Sequence, residues 1–112
     1  MSEEVNIEFL SRESQHSRYD WANIYHAGDM VGKARCLLNG STMTIYSINI
    51  FPEFERHGYG KRFVESAKGS FDTIIADRVR FKAIGFWEKL GFVGNQHGNW
   101  VYTQKREVQG PK

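Results

Sequence analysis

A glycine pair that follows a strand-like segment is the feature of this chain best suited to chemistry. Residues 47–51 read Ser-Ile-Asn-Ile-Phe, and Gly58-Tyr59-Gly60 comes shortly afterwards, at the start of a predicted helix. The first N–H groups of a helix have no intrahelical acceptor, and the helix dipole favours negative charge there. Glycine lets the backbone approach a phosphate closely because it has no Cβ. The segment therefore predicts an anion site, and our hypothesis is a cofactor that carries a pyrophosphate.

The glycine pair alone does not identify the ligand. A dinucleotide-binding motif needs a third glycine, but the position three after Gly60 is Phe63. A P-loop needs Gly-Lys-Ser/Thr, which does not follow either. The rest of the chain must therefore narrow the choice.

Composition restricts the class of protein. The 112 residues suffice for one domain with a single core, and their 40% hydrophobic and 25% charged content is ordinary for a globular protein. No stretch approaches the ~20 apolar residues of a membrane span, and the acidic start is unlike a secretory signal. The single cysteine, Cys36, rules out an internal disulfide and fits a reducing compartment. We therefore expect a cytoplasmic protein that does not contact a membrane.

Two ligand classes are disfavoured. The four histidines lie far apart in sequence and show no ligand spacing, so we expect no metal site. The net charge of +2 argues weakly against a protein built mainly to bind nucleic acid.

Alternation of apolar and polar residues predicts the first and last strands, and β-branched and aromatic residues predict the strand over 42–51. Asn39-Gly40 is the strongest hairpin signal, and Pro52 ends the pairing of the strand before it. The polar residues 11–20 lack periodicity and are predicted to form a loop or at most one irregular helical turn. The predicted strands cover residues 5–9, 21–26, 30–38, 42–51, 71–76 and 99–104.

Two main helices are predicted, over about residues 60–68 and 79–90. The second has Phe81 among its core residues and Gly91 as a left-handed cap. Residues from about 105 to 112 are expected to form a flexible tail. Strands that precede, separate and follow the helices indicate a single α+β domain over residues 1–112, with a mixed, mostly antiparallel sheet.

Two motifs resemble the GNAT N-acetyltransferase superfamily. Ile48-x-Ile50-x-Pro52-Glu53-Phe54 with Gly58-Tyr59-Gly60 resembles its acetyl-CoA-binding motif. Ala83-Ile84-Gly85-Phe86-Trp87-Glu88-Lys89-Leu90-Gly91-Phe92 resembles its second signature, commonly A-x-x-F-Y-E-K-L-G-F. Both motifs occur in the family's order and spacing within residues 42–104, so the chain resembles a small, shortened member.

The resemblance implies a GNAT-like sheet in which strands 42–51 and 71–76 are parallel and splay apart. The pantetheine arm of acetyl-CoA, the implied co-substrate, would lie in that gap. Backbone groups of Ile48, Asn49 and Ile50 would hydrogen-bond it, and Trp87 would lie beside it. The implied pyrophosphate contacts are the N–H groups of Arg56, His57, Gly58, Tyr59, Gly60 and Lys61.

The chain departs from the family pattern at three positions. Glu55 stands where Arg or Gln is usual, so we expect Glu55 to point to solvent and Arg56 or His57 to supply positive charge. Trp87 replaces the tyrosine thought to protonate the departing thiolate, and an indole N–H cannot release a proton at neutral pH. Arg80 stands where the family often has asparagine.

The acceptor side is also shortened. Family members usually have two helices between strands one and two, and residues 11–20 are too few for a pair. We therefore expect an acceptor side that is open or closed by another chain, which makes a homodimer plausible.

The implied reaction is direct attack of an amine on the acetyl thioester. The Ile50 N–H is the candidate oxyanion donor. An alkylamine has a pKa of ~10.4 and must first lose a proton, and Asp77 is the first candidate base, with Glu53 second. Asp77-Arg78 also reads as an ordinary exposed pair at a strand end. Water, Tyr46 or Tyr102 could act as the acid instead of Trp87.

Two functions stay open from the sequence. The first is an acetyl-CoA-dependent N-acyltransferase that acts on the amine of a small molecule or a protein. The second is a non-catalytic acetyl-CoA-binding module that regulates a partner protein, favoured by Trp87 and the short acceptor wall. The basic run Arg78, Arg80 and Lys82 is interpreted as a solvated helix start, with a contact to the CoA 3′-phosphate or to an acidic acceptor as the functional alternative. Nucleic-acid binding is a distant third.

Overall fold

The computed structural model describes residues 4–104, so the predicted tail at 105–112 lies outside the described residues. The strands are β1 (Asn6–Leu10), β2 (Asp20–His26), β3 (Asp29–Asn39), β4 (Thr42–Ile50), β5 (Thr73–Ala76), β6 (Val93–Gly94) and β7 (Trp100–Thr103). The helices are α1 (Tyr59–Lys68) and α2 (Ile84–Lys89), and two short 3₁₀ turns cover Pro52–Phe54 and Phe81–Ala83.

The strands form one sheet in the order β1-β2-β3-β4-β5-β7-β6. Neighbouring strands are antiparallel except β4 and β5, which are parallel and are joined through α1. A parallel pair needs a crossover connection, and α1 provides it. The predicted α+β fold with a mixed, mostly antiparallel sheet is confirmed.

The core lies between one face of the sheet and the two helices. Helix α1 buries Phe63, Val64 and Ala67, as the helical spacing predicts. The C-terminal ends of α1 and α2 are connected by a hydrogen bond. Lys68 Nζ, in the last turn of α1, donates to the carbonyl of Leu90, which caps α2, at 2.6 Å. Burial of these apolar side chains is the main stabilising contribution.

The opposite face of β2, β3 and β4 is called the outer face here. Alternate residues of β2 and β3, such as Ala22 and Ala34, are buried on the helix side, whereas Trp21, Lys33 and Arg35 are only half-buried or exposed. Residues 11–19 form turns, as predicted, so within the described chain no helix pair precedes β2.

The second helix is shorter than predicted. It begins at Ile84 instead of residue 79, because the preceding residues are bonded to the loop before β7. Arg78 N–H donates to Asn99 Oδ1 at 2.7 Å, and Val79 N–H donates to the Gly98 carbonyl at 2.9 Å. Phe81, predicted to be in the core, is 88% exposed as a result.

Two smaller differences also have local causes. Strand β5 begins at Thr73 instead of residue 71, because Phe71 N–H still donates to the Ala67 carbonyl at the end of α1. The two-residue strand β6 was not predicted, since two residues carry no alternation. No helix among residues 4–104 is long and apolar enough to span a bilayer.

Candidate functional site

Strands β4 and β5 separate after four paired residues. Their pairing ends at Ile45 opposite Ala76, where Asp77 N–H donates to the Ile45 carbonyl at 3.0 Å. The β3–β4 register shifts at the same level, and Tyr46 is left without a cross-strand partner. A β-bulge of this kind bends a strand and increases its twist. The predicted splaying of the parallel pair is therefore present, and it opens at Tyr46.

The β4 backbone beyond the bulge faces the gap at alternate residues. Phe51 N–H donates to the Val31 carbonyl at 2.9 Å, which makes these two residues a hydrogen-bonded antiparallel pair. Alternation along the ladder then turns the N–H and C=O groups of Ile48 and Ile50 away from β3 and towards the gap. The backbone groups of Asn49 face β3 instead. Such edge groups need partners when water is excluded.

A cleft of about 450 Å³ occupies the gap. It extends from Gly60, Phe86 and Trp87 on the helix side to Tyr46 and Asp77 at the outer face. The other residues that line it are Ile45, Ser47, Ile48, Ile50, Ala76, Arg78, Val79, Arg80 and Ala83. The structure thus brings the candidate strand, Gly60, Asp77 and Trp87 to one cavity.

The N terminus of α1 opens at the helix-side end of this cleft. Gly58 caps the helix with φ +78°, a left-handed conformation that favours glycine. The first helical hydrogen bond runs from Arg62 N–H to the Gly58 carbonyl at 3.0 Å, so the N–H groups of Tyr59, Gly60 and Lys61 have no acceptor within the helix. A Cβ at Gly60 would lie 3.8 Å from Phe86 Cζ, and a larger side chain would enter the cleft.

Positive charge surrounds this helix terminus. Arg56, with φ +70°, and Lys61 are exposed, and the exposed His57 lies next to the glycine. Arg62 Nη1 donates to the His57 carbonyl at 2.7 Å and holds the loop. Glu55 is exposed, as expected for a carboxylate that should not face an anion.

A contact at this terminus was not predicted. The Tyr59 hydroxyl lies 3.0 Å from Nδ1 of His26, at the end of β2, and the two rings are 4.9 Å apart. The centre of the His57 ring lies 5.6 Å from the centre of the Tyr59 ring. No local sequence pattern signals a contact between residues so far apart in the chain. It anchors the first residue of α1 to the sheet.

Asp77 and Trp87 lie on different walls of the cleft. The Asp77 side chain is 23% exposed, and its Oδ2 accepts from Arg78 Nε at 3.2 Å. Trp87 is 7% exposed and packs edge-on against Phe86 and Phe92, with ring centres 5.0 and 4.9 Å away.

The other candidate proton-transfer groups differ in whether they line the cleft. Tyr46 lines the cleft, whereas Glu53 and Tyr102 are not among its lining residues. Tyr102 instead packs against Phe92 and Lys68. Tyr46 is therefore the hydroxyl best placed to replace an acid at position 87.

The single cysteine is buried, away from solvent. Burial raises the pKa of the Cys36 thiol to about 12, which keeps it neutral and unreactive at physiological pH. Between residues 4 and 104, no three His, Cys, Asp or Glu side chains are grouped to hold a metal.

The family model described as "Acetyltransferase (GNAT) family" matches residues 2–92. The chain belongs to the GNAT acetyltransferase family. This GNAT chain is 26% identical over 102 residues to an uncharacterized N-acetyltransferase of Bacillus thuringiensis (strain Al Hakam). The alignment covers 82% of the chain and 62% of that relative, so the chain spans about three-fifths of its relative's length.

Solved structures share the GNAT fold of this chain. The Bacillus subtilis N-acetyltransferase YlbP in complex with coenzyme A has a TM-score of 0.64 at 18% identity, over 88% of this chain and 96% of that one. A GNAT family acetyltransferase from Elizabethkingia anophelis with acetyl-CoA bound has a TM-score of 0.62 at 10% identity, over 91% and 99%. At such identities the likeness concerns the fold.

Proposed function

We propose that this GNAT chain is an N-acetyltransferase that transfers the acetyl group of acetyl-CoA to an amine. The observation that carries this proposal is the gap between β4 and β5, which opens at Asp77 and leads to the N terminus of α1. Membership of the family supports it. The coenzyme A and acetyl-CoA bound in two proteins of the same fold support the choice of co-substrate.

The pantetheine arm fits the gap as an extra strand. Its amide groups can pair with the backbone groups of Ile48 and Ile50, as a peptide does when it is added to a sheet edge. Phe86 and Trp87 provide an apolar wall on the helix side. Asn49 contributes less than its two neighbours because its backbone groups face β3.

The pyrophosphate fits the N terminus of α1. The unpaired N–H groups of Tyr59, Gly60 and Lys61 act with the helix dipole to favour an anion. Arg56 brings positive charge to the same loop, and the exposed His57 lies beside it. The left-handed backbone at Arg56 is the kind of local strain that occurs at ligand-binding loops.

In the chemical step, the amine nitrogen attacks the thioester carbonyl, the C–S bond breaks and CoA leaves as a thiolate. The amine gives up one proton, and Asp77 is the proposed base because its carboxylate lines the cleft where the strands separate. The Ile50 N–H is the proposed oxyanion donor. The Ile48 N–H faces the same gap nearer to Tyr46 and is the second candidate.

Departure of CoA does not require an acid at position 87. A thiol with a pKa of ~8.5 leaves fairly well as a thiolate, and general acid help contributes roughly 10²–10⁴-fold. Tyr46 or water can supply the proton. Positioning of the two reactants in the cleft supplies the larger part of the rate.

A regulatory acetyl-CoA-binding module is the second candidate. The specific observation in its favour is Trp87, whose indole is packed between Phe86 and Phe92 where the family has a phenol. The outer face, which no described helix covers, would then bind a partner protein instead of a small amine.

Release of free thiol from acetyl-CoA tests the proposal. The wild-type protein should release CoA in the presence of at least one member of a panel of amino acids, polyamines, aminosugars and peptides. Gly60→Val should abolish that release, and Gly85→Ala should not, because a Cβ at Gly85 meets nothing within 4 Å. Binding of acetyl-CoA without release for any amine, together with a gain of activity in Trp87→Tyr, would favour the regulatory module.

A further inference from the structure

We infer that the acceptor amine also carries a carboxylate and that Arg35, on the outer face, binds that carboxylate. This inference rests on the proposed acetyltransfer and concerns the other end of the same cleft. The occupant is thus an amino acid or a similar zwitterion, in preference to a neutral or polycationic amine.

Arg35 lies beside the outer opening of the cleft. It is the cross-strand partner of Ser47, which lines the cleft. Its guanidinium carbon lies 4.8 Å from the centre of the Tyr19 ring, and Tyr19 lies 5.2 Å from the ring of Tyr46, another lining residue. Arg35 and the reacting end of the cleft are therefore neighbours on one face.

The guanidinium of Arg35 lacks an acceptor. Its Nε is buried and has no hydrogen-bond partner, and within residues 4–104 Arg35 forms no ion pair. Tyr19 covers the group by a cation–π contact but supplies no acceptor to Nε. A carboxylate that displaces the Tyr19 ring would accept two parallel hydrogen bonds from the guanidinium, the arrangement arginine favours.

The charges nearby suit a zwitterion. Lys33, on the same strand and face, adds a second cation, with its Nζ 5.1 Å from the centre of the Trp21 ring. Glu8 lies two strands away on β1, where Asn23 and Tyr25 donate to it. Asp77 is the carboxylate in the cleft itself. The amine of the acceptor would thus face Asp77 while its carboxylate faces Arg35.

The spacing sets the size of the acceptor. Arg35 and Asp77 are carried by β3 and β5, which lie on either side of β4, and adjacent strands are about 5 Å apart. The backbones are therefore on the order of 10 Å apart. The side chains of Arg35 and Asp77 extend into this distance from both strands. The remaining space suits an acceptor whose amine and carboxylate are separated by a few bonds. The helix-side end of the cleft is used by the co-substrate, so the acceptor enters from the outer face.

Titration of product analogues tests the inference without turnover. The ¹⁵N-labelled protein with CoA is titrated with N-acetyl amino acids of increasing chain length, and in parallel with the carboxamide of each. We expect the Arg35 Nε–Hε signal to shift with the carboxylates and the carboxylates to bind about tenfold or more tightly than their carboxamides. Equal binding of the two forms, or an unchanged Arg35 signal, would overturn the inference.

Two variants distinguish a specific role of Arg35 from a general effect of positive surface charge. Arg35→Gln should remove the preference for carboxylates, and Lys33→Gln, on the same face, should keep most of it. Loss of the preference in Lys33→Gln alone would contradict the role of Arg35. Binding of CoA to the Arg35→Gln variant should match the wild type. A failure of this inference is distinct from a failure of the proposed function, in which the wild type would release no CoA from acetyl-CoA with any amine.

Discussion

The N–H of Asp77 donates to the carbonyl of Ile45 at 3.0 Å, and beyond this bond β4 and β5 diverge. One residue further, the bulge at Tyr46 bends β4 away. The gap thus begins where Asp77 places a carboxylate. The separation of β4 and β5 therefore produces both a groove for an extended ligand and the position of a candidate base.

Asp77→Asn should lower kcat by roughly 10²–10⁴-fold, the range of general acid–base catalysis, because an amide cannot accept the proton of the amine. The KM for acetyl-CoA should change little, since the backbone bond to Ile45 is kept. Asp29→Asn, an exposed carboxylate at the start of β3, is the matched control. An equal kcat in the wild type and Asp77→Asn would exclude Asp77 as the base.

Trp87→Tyr should raise kcat, by at most the roughly 10²–10⁴-fold of general acid catalysis, because a phenol can protonate the departing thiolate. Trp87→Phe makes the same reduction in ring size without a hydroxyl, and it should show no gain. Steady-state rates of thiol release measure both variants. Equal rates in the two would show that the phenol is not used as an acid.

Asp20→Ala should destabilise the fold by ~2–4 kcal/mol. The buried Asp20 carboxylate accepts from the Arg12 N–H at 2.6 Å, from Arg12 Nη1 at 2.9 Å and from the Leu38 N–H at 2.8 Å. These bonds tie the loop between β1 and β2 to β3. Urea denaturation measures the loss, and Asp29→Ala should stay within ~0.5 kcal/mol of the wild type. A similar stability for both variants would rule out this role.

Stability should fall at alkaline pH through Cys36. Burial raises the pKa of its thiol from 9.0 to about 12, so between these values the unfolded chain loses a proton that the folded chain keeps. The free energy of unfolding should then decrease by up to ~1.4 kcal/mol per pH unit from this group. Cys36→Ala should show a shallower decline in urea melts from pH 8.5 to 10.5. Parallel slopes would mean that the thiol ionises equally in both states.

The fold was largely readable from the sequence because its signals are local. The β-branched and aromatic residues of β4, the Asn39-Gly40 turn and the apolar stripe of α1 predicted elements within a residue or two of those observed. The start of α2 was wrong because Arg78 and Val79 bond to residues near β7, which no local pattern reveals.

The part of the candidate site that lies within short sequence motifs could be predicted. Gly58, Gly60 and Trp87 were placed by short motifs, and all three lie along the cleft or at its entrance. The Tyr59–His26 contact and the orphan Nε of Arg35 depend on strand neighbours that are distant in sequence. The roles of individual site residues, the homodimer and the cytoplasmic location stay predictions.

We propose that the gap between β4 and β5 and the N terminus of α1 bind acetyl-CoA. Isothermal titration calorimetry of the wild-type protein tests it most directly. We predict one acetyl-CoA per chain with a Kd of about 1 mM or tighter, weakened at least ~10-fold in Gly60→Val and unchanged in Gly85→Ala. Absence of binding by the wild type, or equal binding by Gly60→Val, would contradict the account.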